Sequence, residues 1–285
     1  MISISALLQQ DQARLACAMG LEIAAARFEV QLLMARALQV NRAWLIAHDD
    51  EILPSIAAAQ YQAELARRIQ GEPIAYIVGE KEFYGLRLMV TDTVLIPRPE
   101  TELLVDLALG CLPIGQAFKV LDLGTGSGAI ALSLAKLRPQ AQLLAVDASA
   151  AALQVAQANA QHLQLPNIRF LESHWYQQIS AGIEFDLIVS NPPYIAAGDR
   201  HLQQGDLRFE PETALVAGIT GLDDLQAIVA SASSYLVDGG WLMLEHGFDQ
   251  AVAVRTLLHQ AGFGKVVTHP DLAGIARVSL GQWLC

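Results

Sequence analysis

Phe118-Lys119-Val120-Leu121-Asp122-Leu123-Gly124-Thr125-Gly126-Ser127-Gly128-Ala129-Ile130 reads as a short apolar strand, a glycine-rich turn and the start of a helix. Glycines let the backbone turn sharply and approach a ligand, and a helix N-terminus offers unpaired N–H groups, so a cofactor can sit there. The spacing is G-x-G-x-G, not the dinucleotide G-x-G-x-x-G. The acid before it, Asp122, would repel a pyrophosphate but suits a cofactor carrying an ammonium or sulfonium group. About twenty residues on, the strand Leu143-Leu144-Ala145-Val146 ends in Asp147, where a carboxylate can accept both hydroxyls of a ribose.

Outward from this unit the alternation continues. A helix is expected near Ser149 to His162, then a strand over Asn167–Leu171 followed by Glu172-Ser173-His174-Trp175, whose indole could lie against an adenine ring. The apolar run from Phe185 to Val189 is a further strand, and after Ser190 it stops at Asn191-Pro192-Pro193-Tyr194. Neither proline can donate to a sheet ladder, so something rigid is built at the strand's carboxyl end, where open α/β sheets bind ligands. Asn191 brings an amide with donor and acceptor, the prolines fix their own carbonyls, and Tyr194 adds a stacking face. Such a site suits a planar NH2 group. A helix over 222–236, a strand at 241–245, a helix near 250–260 and strands around Val266 and 277–280 complete an α/β, doubly wound, largely parallel sheet.

The chain before this region is different. Residues 1 to about 75 are rich in Ala, Leu, Gln and Arg and predict a small helical bundle. Phe28, Leu32, Ala35 and Leu38 would share one helical face, as would Tyr61, Leu65 and Ile69. From 71 to 99 Gly, Pro, aromatic and β-branched residues take over, and the alternation over 83–90 suggests a hairpin linking two domains. Arg98 lies between Pro97 and Pro99, in a restricted backbone that makes it a candidate contact residue as much as a solvated linker residue. The limits read from this are 1–75 for the bundle, 76–99 for the linker and 100–285 for the sheet domain.

The 285 residues are 53% hydrophobic, ample for a sizeable core, and the formal net charge is −11. That charge argues against a broad grip on nucleic acid, which normally needs a basic footprint. Apolar runs are too short for the roughly 20 residues of a membrane span, and no signal peptide is visible, so a cytoplasmic protein is expected. Cys17, Cys111 and Cys285 match no metal or CxxC spacing, and no metal site is expected.

Asp122–Gly128, the Val146-Asp147 strand end and Asn191–Tyr194 follow the motif order of class I S-adenosylmethionine-dependent methyltransferases that modify an NH2 group. Together with Ile96-Pro97-Arg98-Pro99-Glu100-Thr101-Glu102, Phe209-Glu210-Pro211, Ala214-Leu215, Asp271-Leu272-Ala273-Gly274 and Arg277, they make essentially the whole chain resemble the HemK/PrmC family. That family methylates the glutamine of the Gly-Gly-Gln motif in class 1 peptide chain release factors. The resemblance implies a Rossmann-like, mostly parallel seven-stranded sheet and S-adenosyl-L-methionine as cofactor. It also implies release factors as protein partners, no direct contact with nucleic acid or membrane, and a monomer. By the same resemblance Gly124, Thr125, Gly126, Ser127 and Gly128 wrap the methionine part, Asp147 binds the ribose and Trp175 flanks the adenine. Asn191, Pro192, Pro193 and Tyr194 hold the target glutamine and carry catalysis; Asn191 also borders the cofactor, and Arg98 is assigned to substrate. The family usually has Asp before that Trp. Here it is His174, which accepts a hydrogen bond only in one neutral tautomer and is not counted among the cofactor residues. Alternatives are a ribosomal-protein glutamine methyltransferase and, on Asn-Pro-Pro-Tyr alone, an adenine-N6 DNA methyltransferase.

Overall fold

A computed structural model describes residues 3–284; Cys285 lies outside them. The chain divides into two compact units, one running to Gly79 and taking in Gln204–Phe209, the other formed by 80–203 and 210–285.

In the first unit, α1 (Ile4–Met19) is capped by the Ser3 hydroxyl, which accepts from Ala6 N, and stops at Gly20 in left-handed conformation. The helices α2 (Ile23–Leu38), α3 (Arg42–Ala47), α4 (Ser55–Ile69) and α5 (Ile74–Val78) follow. Of the stripe read on α2, Ala35 is buried and Leu32 and Leu38 pack against the core, but Phe28 is corrected. Val30, Leu33 and Met34 are fully buried, whereas Phe28 is half exposed with the Arg42 guanidinium over its ring. On α4, Tyr61 and Leu65 do lie in the core. Arg68 is buried among acids, pairing with Glu29 at 2.7 Å and Asp206 at 3.4 Å, and so ties the 204–209 segment to this unit. The linker read from residue 76 begins later, because Ile77 and Val78 are helical and pack into this core.

The second unit opens with the hairpin β1 (Glu80–Phe83) and β2 (Leu86–Met89), turned through Tyr84 and Gly85, both at positive φ as a two-residue primed turn requires. It is fastened to the sheet domain by Asn159, whose side chain accepts from Met89 N and donates to Met89 O. Then come α6 (Glu102–Cys111), β3 (Lys119–Leu123), α7 (Ala129–Leu137), β4 (Gln142–Asp147), α8 (Ala150–His162), β5 (Ile168–Glu172) and β6 (Phe185–Ser190). After an irregular stretch follow α9 (Asp223–Ala232), β7 (Leu236–Glu245), α10 (Ala251–Gln260), β8 (Gly264–Pro270) and β9 (Ala276–Gln282).

The seven-stranded sheet has order β5-β4-β3-β6-β7-β9-β8. Its first five strands are parallel, and β9 runs antiparallel to both β7 and β8. Val120, Leu121, Leu187, Ile188 and Val189 are fully buried, as central strands covered by helices on both faces must be. Chain order reverses between β3 and β6, and ligands bind at the carboxyl edge of such a switch point.

Candidate active site

Register fixes which strand-end residues meet. Leu123 pairs with both Val146 and Ser190, Asp147 with Glu172, and Ser190 with Leu244. The next residues of β3, β4, β6 and β7, namely Gly124, Asp147, Asn191 and Glu245, therefore emerge along one edge. A cavity of about 460 Å³ opens there, lined by Gly124 to Ser127, Asp147, Trp175, Asn191, Pro193 and Arg98 among others. That volume suits a nucleoside-bearing ligand.

The glycine turn differs from the sequence expectation in one respect. Its N–H groups are mostly spent inside the protein: Gly124 and Thr125 donate to Val146 O, Gly126 to the Asp147 carboxylate and Gly128 to Thr125 O. The turn is thus a shaped, close wall more than a nest of open donors. Gly124, Gly126 and Gly128 all have positive φ. Gly128 does not border the cavity; a Cβ there would press on Leu132 and Ala156, so its role is to let α7 start against α8.

Asp122 is buried beneath the turn, not on the cavity wall. One carboxylate oxygen accepts from the Thr125 hydroxyl at 2.7 Å, the other has no hydrogen-bond partner, and burial pushes its pKa up to about 7. Asp147, unlike Asp122, borders the cavity. Its two oxygens accept from Gly126 N and Ser149 N, each at 2.9 Å, and burial raises its pKa against these bonds. The carboxylate therefore pins the glycine turn at the cavity edge.

Trp175 has a left-handed backbone, φ 51°, which brings its ring over Gly124 so closely that a Cβ there would lie 3.3 Å from the indole. Its Nε1 donates to the Asp224 carboxylate at 3.2 Å. Asp224 opens α9 and borders the cavity with His174. No sequence signal marked it, since it follows an irregular stretch of some thirty residues with no strand end to place it.

At the Asn-Pro-Pro-Tyr turn, Asn191 Nδ2 donates to the Thr101 hydroxyl at 3.2 Å. Thr101 borders the cavity too, and with the nitrogen engaged there the amide oxygen is the acceptor that Asn191 has left to offer. Pro193 also borders the cavity, while Pro192 and Tyr194 do not. Burial pushes the Tyr194 phenol up to about 12, which removes it as a base near neutrality. Arg98, expected to meet substrate, borders the cavity but already forms an ion pair with the fully buried carboxylate of Glu210.

The turn is braced by Gln250, whose amide nitrogen donates to Tyr194 O at 2.9 Å and Gly221 O at 3.1 Å, while its oxygen accepts from Gly247 N. Gly221 has φ +71°, and a Cβ on it would run into the Tyr194 carbonyl oxygen. Gly221→Ala is therefore expected to displace the turn. Steady-state kinetics should show kcat lowered by roughly tenfold to a hundredfold, with a loss of about 1–3 kcal/mol in denaturant unfolding; unchanged kcat would mean the turn absorbs the clash. Among the described residues no group of three His, Cys, Asp or Glu is placed to hold a metal, and no helix is long and apolar enough to cross a membrane.

Comparison with known proteins places these features in a family. The family described as PrmC N-terminal domain matches residues 6–79, and that described as Methyltransferase small domain matches 101–206. A release factor glutamine methyltransferase from Xylella fastidiosa is 50% identical over 256 residues, covering 90% of this chain and 93% of that protein. One from Burkholderia pseudomallei is 51% identical over 259 residues, covering 89% and 91%. A T. thermophilus 16S rRNA methyltransferase solved with AdoMet and guanosine shares the fold at 23% identity, TM-score 0.53, over 72% of this chain and 49% of that one. Half of all positions shared over nine-tenths of the length leaves one conclusion: the chain belongs to the release factor glutamine methyltransferase family.

Proposed function

We propose that this enzyme transfers a methyl group from S-adenosyl-L-methionine to the side-chain amide nitrogen of the glutamine in the Gly-Gly-Gln motif of class 1 peptide chain release factors. The observation that carries the reading is the Asn191 amide at the cavity edge, its nitrogen engaged by Thr101 and its oxygen left as the acceptor, in a cavity also lined by Asp147 and the glycine turn. The residues present fit the cofactor. Asp147 offers a carboxylate to the ribose, the indole of Trp175 lies so close over Gly124 that an added Cβ would sit 3.3 Å from it, and the turn's spent N–H groups suit a sulfonium better than a phosphate. When bound, the cofactor supplies an electrophilic methyl group on positively charged sulfur.

The protein's task is to make an amide nitrogen accept it. The nitrogen lone pair is delocalised into the carbonyl, which makes it a poor nucleophile. The Asn191 oxygen and the Pro192 carbonyl accept the two N–H bonds of the glutamine, fix the plane of its amide and stabilise the positive charge that grows on nitrogen. Alignment of this kind supplies on the order of 7–11 kcal/mol. Pro193 borders the slot around the amide, and Tyr194 packs against the core behind it. No strong base is needed, because an N-protonated amide loses its proton readily, and Tyr194 is not poised to be one.

The same reading makes the protein a cytoplasmic monomer that recognises a protein; its net charge of −11 supports a protein partner over nucleic acid. The test is tritiated methyl transfer to an unmethylated release factor, beside its Gly-Gly-Ala variant, a ribosomal-protein substrate and duplex DNA. Label confined to the native factor is expected; label on DNA or the ribosomal protein would replace this reading with one of the others.

A further inference from the structure

Behind the Asn-Pro-Pro-Tyr turn lies a carboxylate that does not touch the cavity. Glu245 ends β7 one residue past the Ser190–Leu244 pair, which sets it beside Asn191. It is 1% exposed, one of its oxygens has no hydrogen-bond partner, and the side chains of Thr101 and Asn191 lie close enough to favour its charged form. A buried carboxylate with an unpartnered oxygen costs stability and calls for a reason.

The direction of the hydrogen bonds supplies one. Asn191 Nδ2 donates to Thr101 Oγ1, which leaves the single Thr101 hydroxyl hydrogen for Glu245. An ionised carboxylate can only accept, so every donor in the set must point toward it. An Asn amide can otherwise turn over by exchanging oxygen and nitrogen in the same volume. We infer that Glu245 is a positioning residue whose carboxylate, acting directly and through Thr101, holds the Asn191 amide with its oxygen toward the cavity. This rests on the proposed function, because only a substrate that presents NH2 needs that oxygen.

Protonation of Glu245 would turn an acceptor into a donor and let Asn191 present its own NH2, donor against donor. Burial, assisted by Glu100, pushes the Glu245 pKa up to about 7, while Arg277, Thr101 and Asn191 act to lower it. Tyr194 also faces Glu245 and stays neutral near pH 7. Arg277 is itself paired with Asp271 at 3.2 Å, and neighbouring His246 is turned to Gly247 O and Ser279.

The experiment compares the full-length enzyme with Glu245→Gln and Thr101→Val. On wild type, kcat for methyl transfer to release factor is expected to fall as pH drops through about 7. Glu245→Gln, which can donate as well as accept, should lower kcat about tenfold or more, leave cofactor Kd within about threefold and abolish that acid limb. Thr101→Val should reproduce the kcat loss, and Thr101→Ser should recover most of it. Independently of any substrate, the side-chain 15NH2 resonance of Asn191, assigned by its disappearance in Asn191→Asp, should shift with a midpoint near the Glu245 value in wild type and not in Glu245→Gln. A wild type that fails to methylate release factor would sink the functional reading alone. An Asn191 resonance indifferent to pH, or an acid limb that persists in Glu245→Gln and so belongs to Asp122 or another group, would overturn the role given to Glu245.

Discussion

Asn191→Ala should lose methyl transfer by roughly a hundredfold to a thousandfold, while calorimetric affinity for S-adenosyl-L-methionine stays within about threefold of wild type. Removing one preorganised partner of a charge that develops only in the transition state costs about 3 kcal/mol in comparable sites, and that loss falls on kcat. The cofactor wall we propose is the glycine turn, Asp147 and Trp175, all of which the substitution leaves in place. Truncation also removes the donor to Thr101, so the Thr101 hydroxyl and Glu245 rearrange among themselves behind the turn. Asn191→Asp separates the two effects. It restores oxygen atoms of the right size at the cavity but brings a second carboxylate next to buried Glu245, so it should remain as inactive as the alanine variant. Turnover near the wild-type rate in either variant would show that the amide is held by other groups.

What sequence reading reached and what it missed divide along a physical line. Gly124, Asp147 and Asn191 were legible because each ends an apolar strand, and parallel strands bring such ends to one edge whatever their separation in sequence. The same rule marks Glu245, an acid ending the strand read at 241–245, but its meaning depends on β7 lying beside β6, a matter of topology that no local pattern carries. Asp224 and Gln250 act from helix starts reached through irregular chain, where hydrophobic period is silent. The α2 stripe missed at Phe28 for another reason. Apolar residues fall on more than one side of this helix, so a face through Phe28 looks as plausible as the buried one through Val30, Leu33 and Met34, while Leu32, Ala35 and Leu38 do meet the core. The glycine turn was located correctly, but whether its N–H groups stay open or bond inward is decided by Val146 O and Asp147, partners about twenty residues away in sequence.

That double use of Asp147 makes its removal the second large effect. Asp147→Ala deletes the acceptor proposed for the cofactor's ribose and, at the same time, the two bonds at 2.9 Å that hold Gly126 N and Ser149 N. Hydrogen bonds to a charged group are worth about 1.5–3 kcal/mol each. Losing those to the ribose alone should weaken binding about a hundredfold, and loosening of the turn adds to it. Isothermal titration should therefore show cofactor affinity reduced by two orders of magnitude or more. Asp147→Asn keeps one accepting oxygen and turns the other position into a donor, so one of the two backbone bonds is replaced by a donor facing a donor. Its affinity should fall between wild type and alanine. The pH dependence has a definite sign: burial raises the Asp147 pKa, so acidification neutralises the acceptor sooner than for an exposed carboxylate, and wild-type affinity should decline on the acid side while that of Asp147→Asn stays level. Alanine and wild-type proteins of equal affinity would take the ribose away from Asp147 and leave it only the task of shaping the glycine turn.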